Sequence, residues 1–205
     1  MSDITSPEHI KQYAAIHESK RYGVSGNKFA AHLQIAILEL RPKVVLDYGC
    51  GQTNLTGSVD FFDAQYLRYD PAIPELSKTP ETQADLIINT DVLEHIPGPD
   101  IDPLLAHIAS LGKHAFFSIA TSPAKEILPN GQNAHCSVFP GEVWVERIRK
   151  FFPEAQLLKA SRRNSALIIT WPSRVTGLIE LVDEHFLYKR RATKTLLGRI
   201  VFGNR

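Results

Sequence analysis

Residues 90–97 read TDVLEHIP and place Asp91, Glu94 and His95 at the end of an apolar run. Two carboxylates and an imidazole at this spacing have two uses. If they open a helical turn, positions 91, 94 and 95 share a face, because side chains three and four apart are neighbours. They then suit a divalent, oxygen-preferring ion such as Mg²⁺ or Mn²⁺. Alternatively, Asp91 or Thr90 caps the helix, the acids favour its first turn, and His95 bonds to backbone. A fourth ligand has to come from another segment. His135 lies in ATSPAKEILPNGQNAHCSVFP, a long polar stretch of the kind that tends to be functional, and takes that role by its place there. Without a metal, His95 and His135 become the candidate general bases, since imidazole titrates nearest neutrality. His9, His17, His32, His107, His114 and His185 read as surface or helix residues.

A second chemical stretch lies upstream. LDYGCGQT puts Asp47 at a strand end, followed by Gly49, Cys50 and Gly51. Glycine permits positive φ and close backbone approach to a ligand. A dinucleotide fingerprint would need a third glycine where Asn54 stands, and a phosphate loop would need Gly-Lys-Ser/Thr, which is absent. What remains suits a ligand with a polar aminoacyl end and no phosphate, its ammonium group facing Asp47. Asp70 ends the next strand and can accept hydrogen bonds from two ribose hydroxyls.

The elements that must position these groups alternate. GNKFAAHLQIAILELRPK reads as a helix ending before Pro42. KVVLDYGCG, AQYLRYDP, ADLIINTD and HAFFSIAT read as strands, the third apolar throughout and so buried on both faces. DIDPLLAHIASLGK and GEVWVERIRKFFP read as helices, the latter packing Val143, Val145, Ile148 and Phe151 or Phe152. AQLLKASRRNSALIITW reads as two strands about a polar turn. This is the pattern of an open α/β sheet, whose ligands bind at the carboxyl ends of the strands. The stretches beginning at Asp47, Asp70, Asp91 and Thr121 all fall there.

The 205 residues, 43% of them hydrophobic, suffice for one domain with a full core. A net charge of +1 gives no bulk case for a nucleic-acid partner. Two cysteines are too few for a disulfide framework, no apolar run spans a bilayer, and the polar N-terminus lacks a secretory pattern; a cytoplasmic protein is expected.

VVLDYGCGQT, LRYDPAIP and ADLIINTDVLEHI, in this order, resemble the motifs of class I S-adenosylmethionine-dependent methyltransferases, over roughly residues 40–170. The resemblance implies a Rossmann-like, mostly parallel sheet closed by an antiparallel pair. It implies S-adenosylmethionine as cofactor, the Asp47 and Gly49-Cys50-Gly51 turn against it, Asp70 on its ribose, and Asp91 opening the segment that faces the methyl group. One departure is visible. Only fourteen residues separate Asp70 from Asp85, and PAIPELSKTPETQ has three prolines, so a loop or short turn should replace the usual helix and strand. The Asp91, Glu94, His95 and His135 set is similar to two metal-using O-methyltransferase groups with Glu-x-x-Glu-His, one acting on the 2′-hydroxyl of small RNAs and one on a catechol-like ubiquinone precursor.

A methyltransferase domain over residues 1–172, with an N-terminal helical segment, and a basic helical extension over 173–205 are therefore expected. The function expected is O-methylation of a sugar, glycan or other polyol. RNA 2′-O-methylation and a non-catalytic cofactor-binding role are the alternatives. Tyr22 and Lys28 are candidate contacts from the N-terminal segment. Asn130, Gln132 and Asn133 offer paired donors and acceptors for a hydroxyl-rich substrate; Trp144 is a stacking or core residue. Lys189, Arg190, Arg191, Lys194, Arg199 and Arg205 give the tail a basic face, suited to an anionic membrane surface, to RNA, or to solvent over a docked helix.

Overall fold

The computed structural model describes residues 5–19, 22–159 and 164–182. A helix, α1 (Pro7–Ser19), precedes a 3₁₀ turn and α2 (Ala30–Leu40). Then follow β1 (Val44–Tyr48), β2 (Gln65–Tyr69), β3 (Ala84–Thr90), α3 (Ile101–Leu111), β4 (Gly112–Ala120), α4 (Gly141–Arg149), β5 (Gln156–Leu158) and β6 (Ser165–Ile169). They form one six-stranded sheet in the order β2-β1-β3-β4-β6-β5. β1 to β4 run parallel, and β6 lies antiparallel to both β4 and β5. All four parallel strands therefore end at one edge, with the topological reversal between β1 and β3.

β3 is the central strand. Its residues are buried except for Asp85, whose carboxylate is drawn to the rim by Lys113 and the Lys43 and Val44 amides. One core, built by α3, α4 and one sheet face, gathers Leu105, Ile108, Phe117, Trp144 and Ile148. The other lies under α2 and gathers Phe29, Leu33, Ile37, Leu86 and Phe116. Trp144 is a core residue, fully buried, whereas Val143, expected to pack, is 46% exposed. The helical phase of α4 is thus set by the tryptophan.

The alternation of strand and helix fails at two crossovers. Between β2 and β3 stands only the 3₁₀ turn Pro74–Leu76, the shortened region that the prolines dictate. Between β1 and β2 there is likewise only a 3₁₀ turn, Leu55–Gly57, capped by the Asn54 side chain. Gly57, Asp60 and Asp63 surround it, and Phe62 has φ of +52°, so no helix propagates. Among the described residues no helix is long and apolar enough to cross a membrane. Both cysteines are free. A helical segment runs over 176–182; the remainder of the expected C-terminal extension, with its six basic residues and His185, lies outside the described residues.

β4 begins at Gly112, two residues earlier than the apolar run suggests, because α3 passes directly into it. A Cβ on Gly112 would lie 2.7 Å from Ile87 Cδ1 and 3.1 Å from the Ala84 carbonyl oxygen. Its φ of −162° is open to any residue, so the need for glycine is steric. Gly112→Ala is expected to destabilise the fold by about 1–3 kcal/mol through overpacking; urea denaturation measures it.

Candidate functional site

A cavity of about 310 Å³ opens over the carboxyl ends of β1, β2 and β3. Its floor includes Asp47, Gly49, Cys50 and Gly51 after β1, Asp70 after β2, and Thr90 and Asp91 after β3. Every residue expected to hold the cofactor therefore lines one cavity. Its roof comes from α1 and from residues 22–26. Among the described residues lining it there is no Lys or Arg.

The three strand ends are cross-braced. Asp70 is 7% exposed and accepts the Gly51 amide at 2.8 Å and the Ala72 amide at 2.9 Å. Each carboxylate oxygen keeps a further lone pair for a ligand hydroxyl. Gly49 and Gly51 have φ of +74° and +52°. A Cβ on Gly49 would sit 2.5 Å from Val92 Cγ2, and one on Gly51 would sit 2.6 Å from the Gly23 carbonyl oxygen. The turn is thus pressed between the segment after β3 and the roof, a close approach as decisive as any made by a ligand. Cys50 is buried, and burial pushes its thiol up to about 12, so it is inert.

Asp47 is buried and accepts the Tyr66 hydroxyl at 2.7 Å. Burial pushes its carboxyl up to about 7; the Tyr66 hydrogen bond and Arg68 oppose this, and Asp70 adds to it. Asp91 ends β3 at φ +55°, a strained position for a residue with a Cβ, and its amide donates to the Ser118 carbonyl at 2.8 Å.

At one end of the cavity Glu94, His95 and His135 come together. One ligating atom from each lies within 4.8 Å of the others. Glu94 is fully buried; its Oε1 accepts the Ala120 amide at 2.8 Å, while Oε2 has no partner. Burial, then the charge of Asp91, pushes its carboxyl well above the usual range. The His95 Nδ1–H donates to the Ala134 carbonyl at 2.8 Å, and the His135 Nδ1–H donates to the Ser122 carbonyl at 2.6 Å. A carbonyl only accepts, so both Nδ1 atoms carry the proton and both Nε2 lone pairs are released. Metal-ligating histidines are commonly oriented in this way. Burial pushes His95 down to about 4, against the Ala134 hydrogen bond, so the ring is neutral and too weak a base to take a hydroxyl proton near pH 7. Of the two rings expected as bases, burial thus disfavours His95.

Asp91 falls outside this cluster. The turn Leu93–His95 is a single 3₁₀ turn, and the left-handed backbone at Asp91 precedes it, so the shared helical face expected for 91, 94 and 95 does not form. The donors are one carboxylate and two imidazoles. That set fits a divalent cation, with Oε2 as the orphaned acceptor, and its nitrogens favour a first-row transition ion such as Mn²⁺ over Mg²⁺.

The 121–140 segment serves the site differently from expectation. Asn133 accepts the Ala124 and His135 amides and donates to the Ala124 carbonyl, and Asn130 and Gln132 bond each other. These amides fix the loop that presents His135; none lines the cavity. Tyr22 lines the cavity, whereas Lys28 turns outward to Ser25. Reading the chain as a sequence missed His9, Tyr13 and His17, all in the cavity wall. Their spacing of four along one helix was the signal. It also missed Tyr66, which the register sets opposite Val45 on the neighbouring strand and whose hydroxyl reaches Asp47, two residues further on.

The sequence profile of a family described as "Methyltransferase domain" matches residues 25–164. No curated protein matches the sequence significantly. The fold is similar to a DhpI complex with S-adenosylhomocysteine, with TM-score 0.55 and 15% identity, covering 83% of this chain and 100% of that one. It is also similar to the Burkholderia thailandensis 1,6-didemethyltoxoflavin-N1-methyltransferase (TM-score 0.53, 16% identity, 82% and 91% covered) and to the N-methyltransferase NodS of Bradyrhizobium japonicum WM9 (0.50, 12%, 78% and 96%).

Two binding measurements test the cradle. Asp70→Ala should weaken S-adenosylhomocysteine binding by tenfold or more in calorimetry, since it removes a carboxylate that lines the cavity and braces Gly51. Asp47, raised from its ordinary 3.8 to about 7, keeps its proton when the unfolded chain has lost it, so the empty protein loses stability as pH rises from about 4 to 7. An ammonium ligand needs the ionised form. Binding should therefore weaken about tenfold from pH 8 to pH 6 with proton release at pH 6, and Asp47→Asn should flatten the profile. A parallel, sloping profile in that variant would remove Asp47 from the aminoacyl subsite.

With its strand-end acids in one cavity and the family profile covering most of its length, this chain belongs to the methyltransferase-domain family and is a class I S-adenosylmethionine-dependent methyltransferase.

Proposed function

We propose that this enzyme transfers the methyl group to a hydroxyl of a sugar, glycan or other polyol bearing a second oxygen beside it, with a divalent cation held by Glu94, His95 and His135. The observation that supports this reading is the convergence of the three ligating groups within 4.8 Å at the cavity wall. When bound, the sulfonium supplies an activated methyl carbon and the cation lowers the pKa of the attacking hydroxyl. The chain itself supplies alignment. Asp70 and Asp47 fix the two ends of the cofactor, and Gly49–Gly51 let it lie flat on the turn. The Ala134 and Ser122 carbonyls hold the Nδ1 ends of His95 and His135, which leaves each Nε2 lone pair free. The oxygen–carbon bond forms as the carbon–sulfur bond breaks, and the hydroxyl proton leaves to solvent, or to His135 where that ring is unligated.

A ribose diol at an RNA end has the same pair of oxygens. The absence of Lys and Arg among the described lining residues gives a polyphosphate no anchor there, which favours a neutral acceptor.

Turnover on fractionated small molecules, glycans and RNA, followed with labelled cofactor, identifies the acceptor class. It should stop with chelator and return with Mn²⁺ more fully than with Mg²⁺. Glu94→Gln and His135→Ala should each lower Mn²⁺ affinity by roughly a hundredfold, well beyond the effect of Asp91→Asn. Turnover indifferent to chelator would overturn the cation and leave His135 as the base.

A further inference from the structure

We infer that Tyr13 is a positioning residue that ties the Glu94–His95–His135 centre to the roof of the cofactor cavity, so that a cation and the cofactor each tighten the binding of the other. The inference rests on the cation reading above.

The roof helix α1 is weakly self-sufficient. It has thirteen residues, a length marginal for an isolated helix, and only Ile16 is buried. Ile16 and Tyr13 pack with Leu128 and Ala134, and the hydrogen bonds that dock the helix fall at two places. At the first, His9 Nε2–H donates to the His95 carbonyl at 2.7 Å, and the Tyr13 hydroxyl donates to the Ala134 carbonyl at 2.9 Å. Both acceptors belong to the ligand segments: one is the backbone of His95 itself, and the other immediately precedes His135. The Ala134 carbonyl also accepts the His95 Nδ1–H, and the Tyr13 oxygen lies 3.2 Å from that same nitrogen. A single carbonyl thus takes one donor from the roof and one from a ligand ring. Its two lone pairs are filled by these two bonds.

At the second place the roof meets the cofactor cradle. Gln52, beside Gly51, donates to the His17 carbonyl and accepts the Tyr22 amide, both at 3.0 Å. Thr53 donates to the Gly23 carbonyl at 2.8 Å. One element therefore leans on both sites. A cation that fixes the His95 and His135 rings fixes the two carbonyls on which α1 is hung. A cofactor under the roof favours the same docked state. Two ligands that favour one state couple reciprocally, by the same factor in each direction.

The test titrates the full chain with Mn²⁺ with and without saturating S-adenosylhomocysteine, and then the reverse. Each ligand should tighten the other by about tenfold, inside the usual range for coupled sites. Tyr13→Phe keeps the ring and removes the hydroxyl. It should bring the factor towards one and shift the ligand-field absorption of the Co²⁺-loaded protein, because the Ala134 carbonyl that orients His95 loses its donor from the roof. His9→Ala, which removes the other bond to the ligand segment, should lower the factor without that spectral shift. Mn²⁺ binding with a factor of one in the unaltered protein, or a factor retained in Tyr13→Phe, overturns the coupling and leaves the cation centre standing. No Mn²⁺ binding at all removes the centre and the coupling with it.

Discussion

The site is governed by negative charge held away from water. Asp47, Asp70 and Asp91 stand at consecutive parallel strand ends because the register of β1, β2 and β3 brings those ends to one edge, and Glu94 is buried beside them. Arg68 gives its guanidinium to the Gly51 carbonyl and does not line the cavity. Asp47 shows what this arrangement costs. Its displacement from 3.8 to about 7 corresponds to roughly 4 kcal/mol of disfavoured ionisation. That is the size of the gap between millimolar and micromolar affinity. An ammonium group brought beside Asp47 would favour its ionised form and recover part of that cost.

This constraint was legible in the sequence where acids followed apolar runs. Asp47 and Asp70 each end a strand whose type was plain from β-branched and aromatic residues, and parallel pairing did the rest. The missing edge strand was legible too, because three prolines in fourteen residues leave no other outcome. What could not be read was local backbone direction. A face shared by Asp91, Glu94 and His95 needs a continuous α-turn from 91 to 95, and a single left-handed residue, Asp91, breaks it. Between β1 and β2 only a 3₁₀ turn forms, because Asn54 satisfies its own turn and glycine and aspartate follow it.

Two further classes of residue were not legible in their roles, each for its own reason. Tyr66 and Gln52 act through partners nineteen and thirty or more positions away, and nothing in their neighbours marks them. Asn130, Gln132 and Asn133 were conspicuous and drew the wrong role. Paired amides look the same in sequence whether they face a ligand or satisfy the backbone of their own loop. In a segment with little regular structure, the second need is the more pressing, because buried backbone groups without partners cost about 1–3 kcal/mol each.

The shortened edge has a consequence for access. With no helix after β1 and no strand beyond β2, the cavity wall on that side is loop, and enclosure falls to α1 and residues 22–26. A volume of about 310 Å³ is at the lower end for ligand pockets, and the cavity stays partly open to solvent. The contacts of the roof divide between its two ends. The Gly23–Gly51 approach and the Gln52 clasp hold the C-terminal end of the roof against the cradle, and the His9 and Tyr13 bonds hold its N-terminal half near His95 and His135. The half of the roof beside Glu94, His95 and His135 and the half beside Gly49–Gly51 are therefore held by separate sets of hydrogen bonds.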